Sequence, residues 1–538
     1  MPAETWHSGR AAAPGLAVGP LFEMPEAGAG GRLQGSPEQE VEALRTALAG
    51  AIDDISFLQQ ATSDEAAEIL EFQVAMLSDD ALVEPAMEQI AHGVAADVAW
   101  REAMDAQIAG YAASADEYFC ARAGDLADMR DRVLDHLLGT ADVVPPPGAI
   151  VLASDLAPSR FLAWDWSAGG GVALRGGSPT SHVAMLARAR SVPMVVGLTL
   201  PAGIPVKAGA GTVLLDGEQG RVNLAPDADE IAAFERRRAA AREAAAHWQA
   251  YLHRPAFTGT GERVLTQVNV ADPTELDHLD PAICDGIGLV RTEFLFHDRA
   301  GLPDEDSQFS VYRRILDWAA GRPVTIRTLD AGGDKPIRGL TAESESNPFL
   351  GVRGIRLSLA RAEVFRVQLR ALARAAALGP LKVMLPMVTI PQEVADTASL
   401  LRDEIAVLEK AGLACREPDL GIMVEVPAAA LAVERFPAAF FSIGSNDLTQ
   451  YVTAAARDIT AVATLNDTAN PAVLELIERV ARFGRQAGRE VSLCGDAGGD
   501  PAMIPLLLER GVRNLSMAPA MLARAKAVIA GWSGPPPS

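Results

Sequence analysis

Residues 176–188, Gly-Gly-Ser-Pro-Thr-Ser-His-Val-Ala-Met-Leu-Ala-Arg, set one histidine, His182, between a turn-forming stretch and an apolar, helix-like run. An imidazole at a helix start sits where negative charge is favoured. It can also carry a phosphoryl group covalently and so split one transfer into two easier ones. For a lone histidine the competing reading is a buried, hydrogen-bonded core residue. A second set of reactive types lies in the C-terminal half, each in or just after an apolar run. Arg291 closes Gly-Ile-Gly-Leu-Val-Arg, Arg327 lies in Ile-Arg-Thr-Leu-Asp, and Arg353 ends Asn-Pro-Phe-Leu-Gly-Val-Arg. Glu425 lies in Ile-Met-Val-Glu-Val-Pro, Asn446 and Asp447 in Ile-Gly-Ser-Asn-Asp, and Cys494 in Ser-Leu-Cys-Gly-Asp. A charge inside an apolar run is costly to bury unless it is paired or bound to an ion. For any one of these residues a structural salt bridge explains the position as well as function does. Taken together, the three arginines make a bidentate cradle for a compact anion carrying carboxylate and phosphate. Glu425 and Asp447 supply the few hard oxygen ligands with which Mg2+ is held during phosphoryl transfer.

The elements that must position these groups follow from periodicity. Residues 15–22 read as a short strand, and 37–139 as helices with apolar residues three and four apart, Ser36-Pro37 opening the first. Further helices are expected at 64–77, 82–92, 94–111 and 116–138, forming an all-α bundle of four. After Pro145-Pro146-Pro147-Gly148 the pattern becomes α/β, with strands at 149–153, 171–174, 194–196 and 212–215. The early strand fits that sheet, so the helical block interrupts one discontinuous α/β domain. Residues 226–252 read as a long connecting helix, acidic at its start and basic further along. Eight strand candidates then alternate with amphipathic stretches: 264–270, 287–290, 324–329, 383–387, 422–426, 440–443, 491–493 and 514–517. That is the rhythm of a (β/α)8 barrel, whose chemistry gathers at the C-terminal ends of its strands. The expected domains are 1–35 with 144–225 (α/β), 36–143 (helical), 226–255 (linker helix), 256–530 (barrel) and 531–538 (disordered tail).

Composition bounds the function. The 538 residues carry a net charge of −23, which excludes nucleic acid as a partner because phosphate backbones need a basic face. An anionic substrate must therefore be held by a local arginine cluster. The four cysteines, 120, 284, 415 and 494, form no CxxC pair, as suits a reducing cytosol. No signal peptide or membrane-spanning run is present, so a cytoplasmic protein is expected.

The stretch around His182 resembles the phosphohistidine signature of the phosphoenolpyruvate-utilising enzymes: a Gly-rich turn, Thr-Ser-His, then Ala-x-x-Ala-Arg. The strand-end motifs resemble that group's phosphoenolpyruvate-binding barrel. Along nearly the whole chain their order is similar to that of the bacterial phosphoenolpyruvate–protein phosphotransferases, the Enzyme I family of the sugar phosphotransferase system. The segment 116–130, Asp-Glu-Tyr-Phe-Cys-Ala-Arg-Ala-Gly-Asp-Leu-Ala-Asp-Met-Arg, is similar to that family's helical part, which docks the small carrier HPr. The resemblance implies that His182 is phosphorylated on Nε2 within a swivelling α/β domain. It implies that Arg291, Arg327, Asn446, Asp447 and Arg457 contact phosphoenolpyruvate, and that Glu425 and Asp447 hold Mg2+. It makes Cys494 the acid that protonates the enolate carbon, a role for which a thiol of ordinary pKa is suitably protonated at neutral pH. A homodimer through the barrel is implied as well. Four positions depart from the family pattern. Ser178 replaces a second glycine, Val183 a smaller residue, Ala456 an acidic neighbour of Arg457, and Gln73 a histidine, a change expected to tune carrier docking. The C-terminal end is short for the family, which puts the last barrel helix in question.

The expected reaction moves the phosphoryl group of phosphoenolpyruvate through His182 to HPr and releases pyruvate, a transfer to a nitrogenous acceptor. The lack of an N-terminal sensory domain leans towards the sugar-transport carrier over the HPr paralogue of nitrogen-regulatory Enzyme I. A phosphoenolpyruvate synthase or pyruvate–phosphate dikinase shares the barrel and the histidine but needs an ATP-binding domain, and no nucleotide-type Gly-rich loop occurs here. A sensor that binds without turnover is the rival from another class.

Overall fold

Short apolar runs from the start of the chain and from beyond residue 149 meet in one sheet in the computed structural model. It describes residues 6–24, 33–60, 65–112, 117–139, 144–179, 181–200, 211–277, 279–297, 301–333, 337, 339–341, 345–456 and 460–534. The chain forms two compact units, Met1–Arg242 and Glu243–Ser538.

In the first unit the strands are β1 (Trp6–Ser8), β2 (Arg10–Ala13), β3 (Leu16–Glu23), β4 (Ile150–Ala153), β5 (Gly171–Leu174), β6 (Met194–Val196), β7 (Thr212–Asp216) and β8 (Arg221–Asn223). They lie in the order β1-β8-β7-β3-β4-β5-β6-β2. The expected early strand is β3, seated between β7 and β4 with Leu21 opposite Ile150. β4 and β5 are buried along their whole length, which is why they read as continuous apolar runs. Successive residues serve opposite faces: Ile150 and Leu152 join one core, Val151 and Ala153 the other. β1, β2 and β8 were not anticipated. Each is three or four residues long and too short to show alternation.

Between β3 and β4 the described residues form five helices rather than a bundle of four: α1 (Pro37–Gln60), α2 (Glu65–Leu77), α3 (Asp80–Ala91), α4 (Ala96–Ala112) and α5 (Glu117–Leu138). The sequence carries a helical segment for each of them, and the number four undercounted those segments. They share a core that includes Leu44, Ile55, Leu70, Ile90, Trp100 and Met129. The chain then adds α6 (Pro158–Ala163), α7 (His182–Ala189) and the connector α8 (Ala228–Gln249). Phe234 on α8 stacks at 5.9 Å on Trp6, and Arg237 pairs with buried Asp216 at 2.6 Å.

The bundle joins the α/β part through a buried carboxylate. Asp128 on α5 accepts from Gln73 Nε2 at 3.0 Å, from Ser159 N at 3.2 Å and from Ser159 Oγ at 2.6 Å. Gln73, expected to tune carrier docking, is thus fully buried, and its Oε1 has no hydrogen-bond partner. A side chain with no exposure cannot meet a carrier directly. Asp128→Ala would strand three donors, each costing about 1–3 kcal/mol when left unsatisfied. The melting transition of the first unit should fall by several degrees. Calorimetry showing an unshifted transition would discount the junction.

The second unit is a closed parallel barrel of β9 (Leu265–Val270), β10 (Ile287–Val290), β11 (Val324–Arg327), β12 (Leu381–Leu385), β13 (Asp419–Val424), β14 (Phe440–Ile443), β15 (Glu490–Leu493) and β16 (Asn514–Met517). All eight expected strands are present, their limits shifted by a few residues. β16 closes on β9 with Asn514 opposite Leu265. The last barrel helix, in question from the sequence, is Leu522–Gly531; it buries Leu522, Ala525 and Ile529. Its Lys526 donates to the carbonyls of Leu252 and Ile283, both at 2.6 Å. Among the described residues no helix is long and apolar enough to cross a membrane.

Candidate active site

Each strand end delivers its group for a local reason. Arg291 follows β10 directly, Arg327 is the last residue of β11, Glu425 follows β13, and Cys494 follows β15. Asn446 and Asp447 fall in the first turn of helix Ser445–Thr453, just after β14. Arg353 arrives from the loop that follows β11. It can lie against that chain because Gly332 has φ +105° and no Cβ, which would stand 2.7 Å from the Arg353 Cβ. Together these seven residues line one open cavity, with Asp330, Leu289, Met423 and Gly444. Arg457, the remaining substrate contact implied by the family resemblance, lies outside the described residues.

The cavity is held by an ion-pair chain that sequence reasoning missed. Arg327 Nη2 donates to both oxygens of Glu293, at 3.1 and 3.0 Å, and Arg327 Nη1 lies 3.0 Å from Asp330 Oδ2. Arg353 Nη2 donates to the same Asp330 oxygen at 2.9 Å and more loosely to Asp447 Oδ2 at 3.4 Å. The three arginines of the expected cradle therefore do not stand alone. Two forks already face carboxylates, because buried guanidiniums need counter-charges. Arg291 makes no ion pair among the described residues and is exposed. Asp330 and Glu293 carry a sequence signal after the fact, as acids three and two positions after Arg327 and Arg291. Asn446 is oriented by the Cys-Gly-Asp motif: its Nδ2 donates to Asp496 Oδ2 at 3.0 Å and its Oδ1 accepts from Asp496 N at 3.1 Å. Gly495 permits this approach, since a Cβ there would lie 1.8 Å from Ser445 Oγ. Two further residues were unforeseen. Met387 adopts φ +58°, a strained conformation that aims its N–H at Glu425 Oε1, 2.6 Å away. Tyr451 donates to Phe349 O at 2.6 Å and accepts from Arg353 at 3.4 Å.

The electrostatics suit a cation. Burial, then the neighbouring Asp447 and Asp330 charges, push Glu425 up to about 8, against the pull of Arg327 and Arg353. Burial works against the charge of both arginines. The carboxylates more than reverse this, Glu293 and Asp330 for Arg327, Asp330 and Asp447 for Arg353. Four carboxylates here face three guanidiniums, so a polyanionic substrate needs more positive charge than the chain supplies. Among the described residues no group of three or more His, Cys, Asp or Glu side chains could hold a metal ion. Glu425 and Asp447 line the same cavity, and a hard divalent ion placed there would need further oxygen ligands. The expectation of an ordinary Cys494 thiol is revised: burial raises it to about 11, only partly offset by the Ser442 hydroxyl that donates to its sulfur at 3.1 Å.

In the first unit, His182 opens α7; its side chain lies outside the described residues, as does Thr180. Ser181 caps the helix, its hydroxyl accepting from Ala184 N at 3.4 Å. Val183, Ala184 and Ala187 anchor α7 on the sheet. Arg188, the arginine of the Ala-x-x-Ala-Arg motif, donates to Ala12 O at 2.7 Å and to Pro179 O at 2.8 Å, so it fixes the loop before the histidine. Beside this loop lies an open cleft of about 430 Å3, whose lining includes Asp131, Asp155, Arg160, Ser178 and Ser181. Of the segment expected to dock a carrier, the side chains of 117–123 lie outside the described residues, and Asp125, Leu126, Asp128 and Met129 point inward.

Comparison with known proteins places the chain in a family. The family model for the phosphoenolpyruvate-binding domain of phosphoenolpyruvate-utilising enzymes matches residues 245–533, that for their N-terminal part 8–122, and that for their mobile domain 145–220. The chain is 36% identical over 534 residues to the phosphoenolpyruvate-protein phosphotransferase of Geobacillus stearothermophilus, covering 97% of this chain and 92% of the relative. It is 35% identical over 509 residues to the enzyme of that name from Bacillus subtilis (strain 168), covering 92% and 89%. A solution structure of Enzyme I (nEIt) aligns with 44% of this chain and 99% of its own at 28% identity, with a TM-score of 0.36, an overlap too slight to argue from. The chain belongs to the phosphoenolpyruvate-utilising enzymes and, among them, to the phosphoenolpyruvate-protein phosphotransferases.

Proposed function

We propose that this enzyme passes the phosphoryl group of phosphoenolpyruvate through His182 to the histidine of an HPr-type carrier, as Enzyme I of a sugar phosphotransferase system. The supporting observation is the convergence of seven strand-end residues on one barrel cavity. Arg291, Arg327, Arg353, Asn446, Asp447 and Arg457 hold the substrate's carboxylate and phosphate, and Glu425 and Asp447 hold Mg2+. When bound, Mg2+ neutralises phosphoryl and enolate charge. His182 Nε2 forms a bond to phosphorus as the bond from phosphorus to the enol oxygen breaks, and the electron pair stays on that oxygen. The enolate collapses to a carbonyl while the Cys494 S–H gives its proton to the methylene carbon, leaving pyruvate and a thiolate that regains a proton from water. Turnover requires His182 to be carried to the cavity mouth, and α8 is the natural hinge between the α/β part (1–35 and 144–225) and the barrel (256–530). The helical block 36–143 presents the carrier, and two barrels pair to make a cytoplasmic homodimer.

Labelled phosphoenolpyruvate with Mg2+ should give an acid-labile, alkali-stable label on the protein without ATP, together with pyruvate. The label should then pass faster to a sugar-transport HPr than to a nitrogen-regulatory relative. A requirement for ATP, or no label at all, would refute the proposal, and preference for the nitrogen-regulatory carrier would correct the acceptor.

A further inference from the structure

Asp330 has no exposure to water, yet it sits between two arginines. Arg327 Nη1 and Arg353 Nη2 share its Oδ2 at 3.0 and 2.9 Å, and Arg353 Nε reaches its Oδ1 at 3.3 Å. Glu293 braces this arrangement from behind, taking Arg327 Nη2 with both oxygens and the Asp330 backbone N–H at 3.2 Å. Two guanidiniums this close repel each other strongly at low dielectric, so one carboxylate keeps them side by side. The pair is not saturated. Arg327 lines the cavity, its buried Nε has no hydrogen-bond partner, and the further contact of its Nη1 is the weak acceptor Met423 Sδ at 3.8 Å. A donor buried without an acceptor is costly unless a ligand supplies one.

We propose that Asp330, braced by Glu293, is a positioning residue for phosphoenolpyruvate: it holds Arg327 and Arg353 as one paired clamp whose unsatisfied donor is completed by an oxygen of the substrate. This rests on the phosphoenolpyruvate reading of the cavity and adds two residues that act through the arginines. Without the Asp330 charge the two arginines separate. Arg353 then closes on Asp447, now only 3.4 Å away, and withdraws that carboxylate from the site. Substrate affinity should therefore suffer before the chemistry does.

The test is a labelling titration with phosphoenolpyruvate and Mg2+ on the full chain. Asp330→Asn keeps the shape but loses the charge. Its phosphoenolpyruvate concentration for the half-maximal initial rate of labelling should rise about 10- to 100-fold, the scale of one lost charge-assisted arm, with the same final label per protein as the wild type. Glu293→Gln, nearer the edge of the buried network, should move the same concentration in the same direction by about 10-fold, and serves if Asp330→Asn fails to fold. Half-saturation unchanged in the variants would overturn the proposal, and so would a lower final label at unchanged half-saturation, the mark of a residue that serves folding alone. A wild type that takes no label would instead overturn the substrate reading beneath it.

Discussion

His182→Ala should reduce labelling by phosphoenolpyruvate to background, the largest effect expected of any single change in this chain. The phosphoryl group needs a nucleophile that can hold it covalently, and an imidazole is the group on this loop suited to the task. Ser181, its neighbour, is committed to capping α7. The substitution should spare the fold, because alanine is the best helix former and the anchors of α7 are Val183, Ala184 and Ala187. The Arg188 contacts to Ala12 and Pro179 do not involve the ring. Phosphoenolpyruvate binding to the barrel should stay measurable by calorimetry in the same variant, since no cavity residue is altered. Label retained on the alanine protein would place the phosphoryl group elsewhere, and binding lost along with it would mean that the damage is structural.

How far such a site can be read from sequence depends on what fixes each residue's role. The barrel strands were legible because a strand covered on both sides reads as a near-continuous apolar run, as in Ile287–Val290, which is wholly buried. A charged or polar residue at the end of such a run stands out, and that contrast marked Arg291, Glu425 and Cys494. Asp330 and Glu293 have no such contrast. Their role is to neutralise Arg327 and Arg353, and which carboxylate meets which arginine is decided by loops that only tertiary packing brings together. The same holds for Gln73, whose family position suggested a role in docking, whereas it is fully buried and donates to Asp128. The edge strand β1 and its neighbour β8 escaped notice for a different reason. Three residues cannot display a period, and Trp6 is held by the stack with Phe234 and by Arg221 over its ring at 4.3 Å.

Cys494→Ala should slow pyruvate formation by about 10^2- to 10^4-fold, the usual scale for removing a positioned proton donor, with phosphoenolpyruvate binding little changed. The side chain is small and packs with Leu289, Met384, Met423 and Phe440, so the cavity left behind is minor. Its environment also fixes the sign of the pH dependence. The active form of an acid is the protonated one, and burial raises this thiol to about 11. The donor is therefore present throughout the neutral range and is lost only as the pH climbs through that value. An ordinary thiol, near 8.5, would instead halve the rate in mildly alkaline buffer. The ratio of wild-type to Cys494→Ala rates should stay constant from about pH 7 to 10. A ratio that falls by half near pH 8.5 would mean that the thiol is not shielded as its burial requires, and a variant as fast as the wild type would remove Cys494 from the reaction. Ser442→Ala separates burial from hydrogen bonding: the hydroxyl lowers the thiol pKa, so its removal should leave the neutral-pH rate within a few-fold and push any alkaline loss still higher.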